Sequence, residues 1–356
     1  MWKRGICFVC ILWMMLLVSV LPGFAESWSQ INQPMNESEA WSQIVQESSF
    51  SLGAQRTVTA PDGLSFRELE FGTYPSIDGS TVSVPMVMEF ARQHLGLPEE
   101  DLLHFVALST THNAYVNLIE KKANGSAQIV SQAVVMDDKH PVDLFIGTEP
   151  SDEELALAAA RGVELLKKPI CYDAFVFIVH VKNPIESLTV AQIQGIYGGE
   201  IIDWDLVGGD AGEIKPYARN KNSGSQTAME NLVMKGKPVT AKAMDGYFLN
   251  EMSSLVFAIG GGGQYSTQGI GYTYKYYIDE LYKSEDIKVL AVDGVYPTGE
   301  NVRSGAYPFS TQYFGVIRRG EERDTGGLFL DWMLSEEGQA CIAQAGYVPI
   351  TQLDNR

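Results

Sequence analysis

Arg219, Ser223, Gly224 and Ser225 fall within the single run Arg219-Asn220-Lys221-Asn222-Ser223-Gly224-Ser225-Gln226. Together they have the chemistry to hold an oxyanion. The guanidinium is a planar, always-charged donor fork that fits a tetrahedral anion through two bonds. The two serines add hydroxyl donors, and Gly224 lets the backbone approach a ligand closely. Behind the run, Met229, Leu232 and Val233 recur at i, i+3 and i+4, which predicts a helix over Thr227–Met234. Asn222 or Ser223 would cap it. Its first turn leaves N–H groups unpaired and partly positive, an arrangement that suits an anion. Taken alone, the same run also describes an ordinary capped helix after a polar loop.

Other turns must bring further donors to it. From about Ser65 the chain alternates apolar runs, short polar turns and amphipathic helices, which predicts α/β units around a mixed, mostly parallel sheet with flanking helices. Ile77-Asp78-Gly79-Ser80-Thr81 precedes a helix with Pro85 in its first turn. The strand expected at Phe105–Leu108 leads to Ser109-Thr110-Thr111 and a helix carrying Tyr115, Leu118 and Ile119. Val142–Ile146 leads to Gly147-Thr148-Glu149-Pro150, and Ser151 and Glu154 are spaced as a capping box for the next helix. Each of these turns, like the Arg219 run, follows a strand and opens a helix, and ligands of open parallel sheets sit beyond the carboxyl ends of the strands. The pooled chemistry is hydroxyl and amide donors, one Arg and one carboxylate, with no His, Cys or carboxylate pair. That set holds a desolvated oxyanion, with Glu149 accepting a hydrogen bond from a protonated ligand oxygen. Each Ser or Thr alone reads equally as a helix cap; their recurrence beside Arg219 carries the functional reading.

Downstream, Ile170–Val181 is a long apolar run expected as a buried strand, followed by a helix over Leu188–Tyr197 capped by Thr189 and stopped at Gly198-Gly199. Ile214–Ala218 and Val289–Val292 read as strands, Gly260–Gly263 as a flexible turn, and Leu328–Ala345 as one closing helix. No internal repeat is found.

The 356 residues suffice for two lobes with real cores. A formal charge of −18 argues against nucleic acid or an anionic membrane as partner, but not against a small anion met by local groups. Met1–Ala25 reads as a secretory signal, with Lys3 and Arg4 ahead of the apolar run Ile6–Leu21; an uncleaved anchor is the other reading. Removing it would take the charge from −18 to −20. Glu26–Ala60 is polar, and 26–64 is expected to be an arm or linker. Cys7 and Cys10 lie in the signal without the small-residue context of a lipid-modified cysteine. Cys171 and Cys341 are expected either to pair or to be buried free thiols. Neither zinc-type spacing nor any cofactor motif is present.

The run of motifs resembles the phosphate-binding receptors of phosphate ABC importers, in the type II periplasmic-binding-protein superfamily. The residues that carry the resemblance are Asp78-Gly79-Ser80-Thr81, Phe177-Ile178-Val179 with Asn183-Pro184, Leu188-Thr189 with Gln192-Ile193, Ile196-Tyr197 with Trp204, and Gly208-Gly209. They continue with Arg219 and Ser223-Gly224-Ser225, Gly269-Ile270-Gly271-Tyr272, and Gly338-Gln339 with Gly346-Tyr347. The resemblance runs from about Ile77 to Ile350. It implies two α/β lobes on a two-stranded hinge: 65–169 with 270–356 as lobe 1, and 170–269 as lobe 2. Inorganic phosphate would lie between them and draw them together. The implied contacts are Ser80, Thr81 and the backbone of Val82; Thr111, with Thr110 as the other candidate, where the family has a serine; Glu149; and Arg219, Ser223, Gly224 and Ser225, the last in place of the usual threonine. Glu149 stands where the family usually has the aspartate that accepts the phosphate's proton.

The resemblance implies an exported, non-enzymatic, monomeric receptor serving an ABC permease, without a lipid-anchor cysteine. An enzyme built on Ser223 or Ser225 would need an adjacent base, and His94, His104, His112, His140 and His180 stand in no motif relation to either. A surface sensor or adhesin reusing the fold, with a different oxyanion or a vestigial pocket, is the alternative.

Overall fold

The protein's computed structural model describes residues 74–351 apart from 97–101, 103–105, 107, 125–126, 131–132, 137–139, 241–247, 250–251, 262–265 and 282. The expected signal, the polar arm, Cys7, Cys10 and the second half of the turn at Gly260–Gly263 lie outside the described residues.

The first units follow from local sequence. Strand β1 (Ile77–Gly79) gives way at Ser80 to a single 3-10 turn and helix α1 (Val84–Leu95), with Pro85 in its first turn. Met86, Val87, Phe90, Ala91 and Leu95 form the buried face of α1, and Gly96 ends it at φ 64°. The strand expected at Phe105–Leu108 is not formed at Val106 or Leu108, where the chain is a loop with Leu108 buried. Helix α2 (Thr111–Glu120), the hairpin β2 (Ala127–Val130) and β3 (Ala133–Met136), and strand β4 (Leu144–Gly147) follow. Helix α3 (Asp152–Ala160) opens with both halves of the capping box: the Ser151 hydroxyl accepts from the Glu154 N–H, and the Glu154 carboxylate accepts from the Ser151 N–H at 2.7 Å.

Strand β5 (Leu165–His180) is the spine of the molecule. Beyond it come β6 (Ser187–Leu188), α4 (Val190–Gly198), capped by Thr189 and stopped by Gly199 at φ 81°, β7 (Lys215–Pro216) and β8 (Ala218–Arg219). The single strand expected at Ile214–Ala218 is thus two short ones. They break at Tyr217, whose N–H goes to the Ile270 carbonyl at 2.9 Å. Helix α5 (Gly224–Ala228) continues directly into a π-helical turn over Met229–Met234, so the helix expected from Thr227 starts three residues earlier and loosens where it was expected to be regular. The remaining strands and α-helices among the described residues are β9 (Phe248–Leu249), α6 (Met252–Gly260), β10 (Gly269–Tyr274), β11 (Ile287–Val289), β12 (Ala291–Val292), α7 (Gly299–Arg303), β13 (Ser310–Arg318), α8 (Thr325–Met333), α9 (Glu336–Gln344) and β14 (Val348–Pro349). The closing helix expected over Leu328–Ala345 is two helices, α8 and α9. Ser335 interrupts it, its hydroxyl accepting from the Gly338 N–H at 3.2 Å as the cap of the second.

The main sheet runs β1-β4-β13-β5-β10-β7, with β11 and β14 also on β5. Its outer pairs, β1 with β4 and β7 with β10, are parallel. The central strands are antiparallel. The first part of β5, Leu165–Ala174, pairs with β13, and the part from Phe175 to Val179 pairs with β10. One strand therefore serves two groups of strands in succession. Phe175, Val176, Phe177, Ile178 and Val179 are fully buried, as the unbroken apolar run requires of a strand covered on both faces. A second, smaller cluster under α2 and α3 gathers Ala114, Tyr115, Leu118, Ile119, Phe145 and Ala158. Cys171 and Cys341 are both buried and form no disulfide, which decides between the two expectations for them. No helix among the described residues is long and apolar enough to cross a membrane.

Candidate functional site

Because β1 and β4 are parallel neighbours, the turns that follow them leave the sheet at the same edge. They touch there. The Ser80 N–H donates to the Ile146 carbonyl at 3.0 Å, and a Cβ placed on Gly79 would lie 2.0 Å from that carbonyl oxygen. Only glycine allows this crossing. Ser80 and Val82 are buried, and Thr81 is half-buried.

The third turn is fastened to the first by Asp78. This fully buried carboxylate accepts from its neighbour Gly79 N–H at 2.8 Å, from the Ser109 N–H at 2.7 Å and hydroxyl at 2.8 Å, and from the Asn117 amide at 2.9 Å. Burial pushes its carboxyl up and these donors pull it back. The Thr110–Thr111 turn so held is strained: Thr110 sits at φ 75°, ψ 159°, a conformation proper to glycine. Thr110 is exposed, whereas Thr111, the first residue of α2, is buried. His112 then reaches the buried Glu154 (Nδ1 to Oε1, 2.9 Å) and joins the starts of α2 and α3.

The Arg219 run meets these turns at Gly224. A Cβ on Gly224 would lie 2.3 Å from Thr148 Oγ1 and 3.1 Å from Thr111 Oγ1. The glycine thus brings α5 against two threonine hydroxyls from two other turns. Tyrosines fix both sides of the approach. The Tyr274 hydroxyl donates to the Gly224 carbonyl at 3.1 Å, and the Tyr115 hydroxyl to the Thr148 carbonyl at 2.8 Å. Burial, foremost, raises both phenols well above their ordinary value, so both remain donors. Ser223 caps α5, its hydroxyl accepting from the Gln226 N–H at 3.2 Å, while Asn222 takes the left-handed conformation at φ 64°. Of the two expected caps, the structure uses Ser223. Ser225 is buried in the first turn. Arg219 is buried at the end of β8, and its N–H donates to the Tyr272 hydroxyl at 2.9 Å and the Gln226 side-chain oxygen at 3.3 Å.

Glu149 stands at the edge of this cluster. Its side chain is 50% exposed and its Oε1 pairs with Lys167 of β5, whose ammonium also lies 4.4 Å over the Phe314 ring. The sequence pattern named Tyr115 only for its helix face and Asp78 only inside a motif, and it gave neither of them, nor Tyr274, a place in the site. The fasteners become visible only when strands and helices remote in sequence are juxtaposed. Among the described residues, no group of three or more His, Cys, Asp or Glu is placed to hold a metal ion.

A spine strand shared by two groups of strands, with hydroxyl-bearing turns and a buried arginine on the run that meets them, defines a two-lobed α/β binding protein. The chain belongs to the PBP superfamily domain family, whose model matches residues 106–337. Among its relatives is the phosphate-binding protein PstS of Borreliella burgdorferi, 25% identical over 183 residues, covering 50% of this chain and 64% of that one. Another is the phosphate-binding protein PstS of Bacillus subtilis, 24% identical over 281 residues, covering 78% of this chain and 81% of the relative. The fold matches a Clostridium perfringens structure solved with phosphate bound, at a TM-score of 0.57 and 24% identity, over 78% of this chain and 100% of that one.

Proposed function

We propose that the protein is an exported receptor that captures inorganic phosphate and hands it to the permease of an ABC importer. It is a binding protein and carries out no reaction. Lobe 1 is 65–169 with 270–356 and lobe 2 is 170–269; one strand serving two groups of strands supports two lobes, although β5 changes partners at Ala174–Phe175 and β10 and β11 pair with its second part. The receptor acts as a monomer, outside the cytoplasm. Its ligand contacts are Ser80, Thr81, the Val82 backbone, Thr111 or Thr110, Glu149, Arg219, Ser223, Gly224 and Ser225.

The observation that carries the reading is the meeting at Gly224 of hydroxyls from two other turns, on the chain segment that carries Arg219. Selection works by matching every ligand oxygen with a donor, because a buried polar group left without a partner costs roughly 1–3 kcal/mol. Glu149 supplies the one acceptor. Lys167 engages its Oε1, and the other oxygen receives the proton that phosphate carries near neutral pH and sulfate lacks. The names of the relatives support phosphate as the ligand; the sensor or adhesin reading draws no support from them.

The test is calorimetric titration of the dialysed protein with phosphate and with sulfate at neutral pH. Phosphate binding with sulfate silent is expected. A folded, ligand-free sample silent toward both would overturn the reading.

A further inference from the structure

Beside Gly224 lies a cavity of about 160 Å³ whose polar wall is made by Thr148, Glu149, Thr227, Asn231, Tyr274 and Thr311. Of the phosphate contacts above, only Gly224 and Glu149 belong to it. The remaining polar groups are hydroxyls and one amide, all uncharged. Ala228 and Leu232 supply an apolar side. A wall of this kind suits a neutral group with a short carbon skeleton and several hydroxyls, not a second anion.

Thr148 and Tyr274 hold the back of the cavity. Thr148 is 3% exposed, and its hydroxyl stands near the phenolic oxygen of Tyr274, whose own proton goes to the Gly224 carbonyl. The space is sufficient, since a protein cavity of about 150 Å³ admits a six-carbon ring.

We propose that this cavity takes the hydroxylated substituent of a phosphate monoester, so that the protein binds small polyol phosphates as well as inorganic phosphate. The proposal rests on the phosphate reading above. In inorganic phosphate the protonated oxygen faces Glu149. In a monoester the substituent replaces that proton, and the carboxylate then faces an ester oxygen with nothing to donate. A substituent with its own hydroxyl restores the donor; a plain alkyl chain does not.

The experiment is calorimetric titration with inorganic phosphate, glycerol 3-phosphate and propyl phosphate. Glycerol 3-phosphate should bind within about tenfold of inorganic phosphate, and propyl phosphate at least tenfold more weakly than glycerol 3-phosphate, the loss of roughly one charge-assisted hydrogen bond. Asn231→Leu, at an exposed position of the wall, and Thr227→Val, which deletes a hydroxyl at nearly constant shape, should each weaken glycerol 3-phosphate severalfold and leave inorganic phosphate unchanged. Binding of inorganic phosphate with glycerol 3-phosphate silent would overturn the proposal and leave the phosphate reading standing. So would equal weakening of both ligands by both variants, because the cavity would then be the pocket of inorganic phosphate itself. Silence toward all three ligands would overturn the phosphate reading and this proposal with it.

Discussion

The carboxylate of Glu153, in the first turn of α3, pairs with the ammonium of Lys221, 68 positions along the chain, and accepts from the Asn222 amide through its other oxygen. The two ends of this contact lie just beyond Glu149 on one side and inside the Arg219–Ser225 run on the other. Glu153 therefore latches two turns that are proposed to close on one ligand. The pair is exposed, so its contribution is modest and screened by salt. Glu153→Gln should raise the phosphate dissociation rate up to a few-fold at low ionic strength, with little change in the association rate. Stopped-flow kinetics at low and high salt would show it; a release rate unchanged at low salt would refute the latch.

Arg219→Lys keeps the charge and removes the fork. With Arg219 buried at the end of β8, the loss of a second charge-assisted bond should weaken phosphate by roughly tenfold to a hundredfold. Calorimetry reads this directly. An unchanged affinity would place the anion elsewhere.

Gly224→Ala puts a methyl 2.3 Å from Thr148 Oγ1. Something must move, and overpacking of this kind typically costs 1–3 kcal/mol. The melting temperature should fall, and Thr148→Ala in the same chain should restore part of the loss. Additive effects in that double-mutant cycle would show that the two residues do not press on each other.

Glu149→Gln replaces the charged acceptor with an amide that can donate as well as accept, and ends the ion pair with Lys167. The ratio of phosphate to sulfate affinity should narrow, chiefly because sulfate is no longer repelled. Competition titrations at neutral pH measure the ratio; the same ratio in the variant would take Glu149 out of the selection.

Asp173 is buried in β5 close to where the strand passes from β13 to β10. Burial pushes its carboxyl up to about 6, against 3.8 in a free chain, despite bonds from the Tyr313 hydroxyl and the Ala174 and Tyr276 N–H groups. The folded state thus holds the proton more tightly than the unfolded chain. Its contribution is fully present below pH 3.8 and is lost as the pH rises through about 6, a decline on the order of 2–3 kcal/mol. Denaturant midpoints measured across that window should fall with pH in the parent protein and flatten in Asp173→Asn. Equal slopes would show that another group is responsible.

What the sequence determined by itself is what short-range chemistry fixes. Ser151 and Glu154 are three positions apart, so their capping box follows from spacing alone, as does the cap that Thr189 places on α4. The apolar run Ala174–Val179 of β5 announces a strand buried on both faces, and Arg219 with Ser223-Gly224-Ser225 announces anion chemistry whatever surrounds it. The stop at Ser335 was equally local and legible as a cap, but the apolar pattern on either side masked it. Tertiary structure alone decided the remainder. The contact of Gly224 with Thr111 and Thr148, the three donors that reach Asp78 from Ser109 and Asn117, the partnership of Glu149 with Lys167 and the latch at Glu153 join residues whose separation in sequence carries no signal. Their geometry is set by the parallel register of β1 on β4 and by the path of β5. A hydrogen bond depends on angstroms, and only the packed chain brings those groups that close.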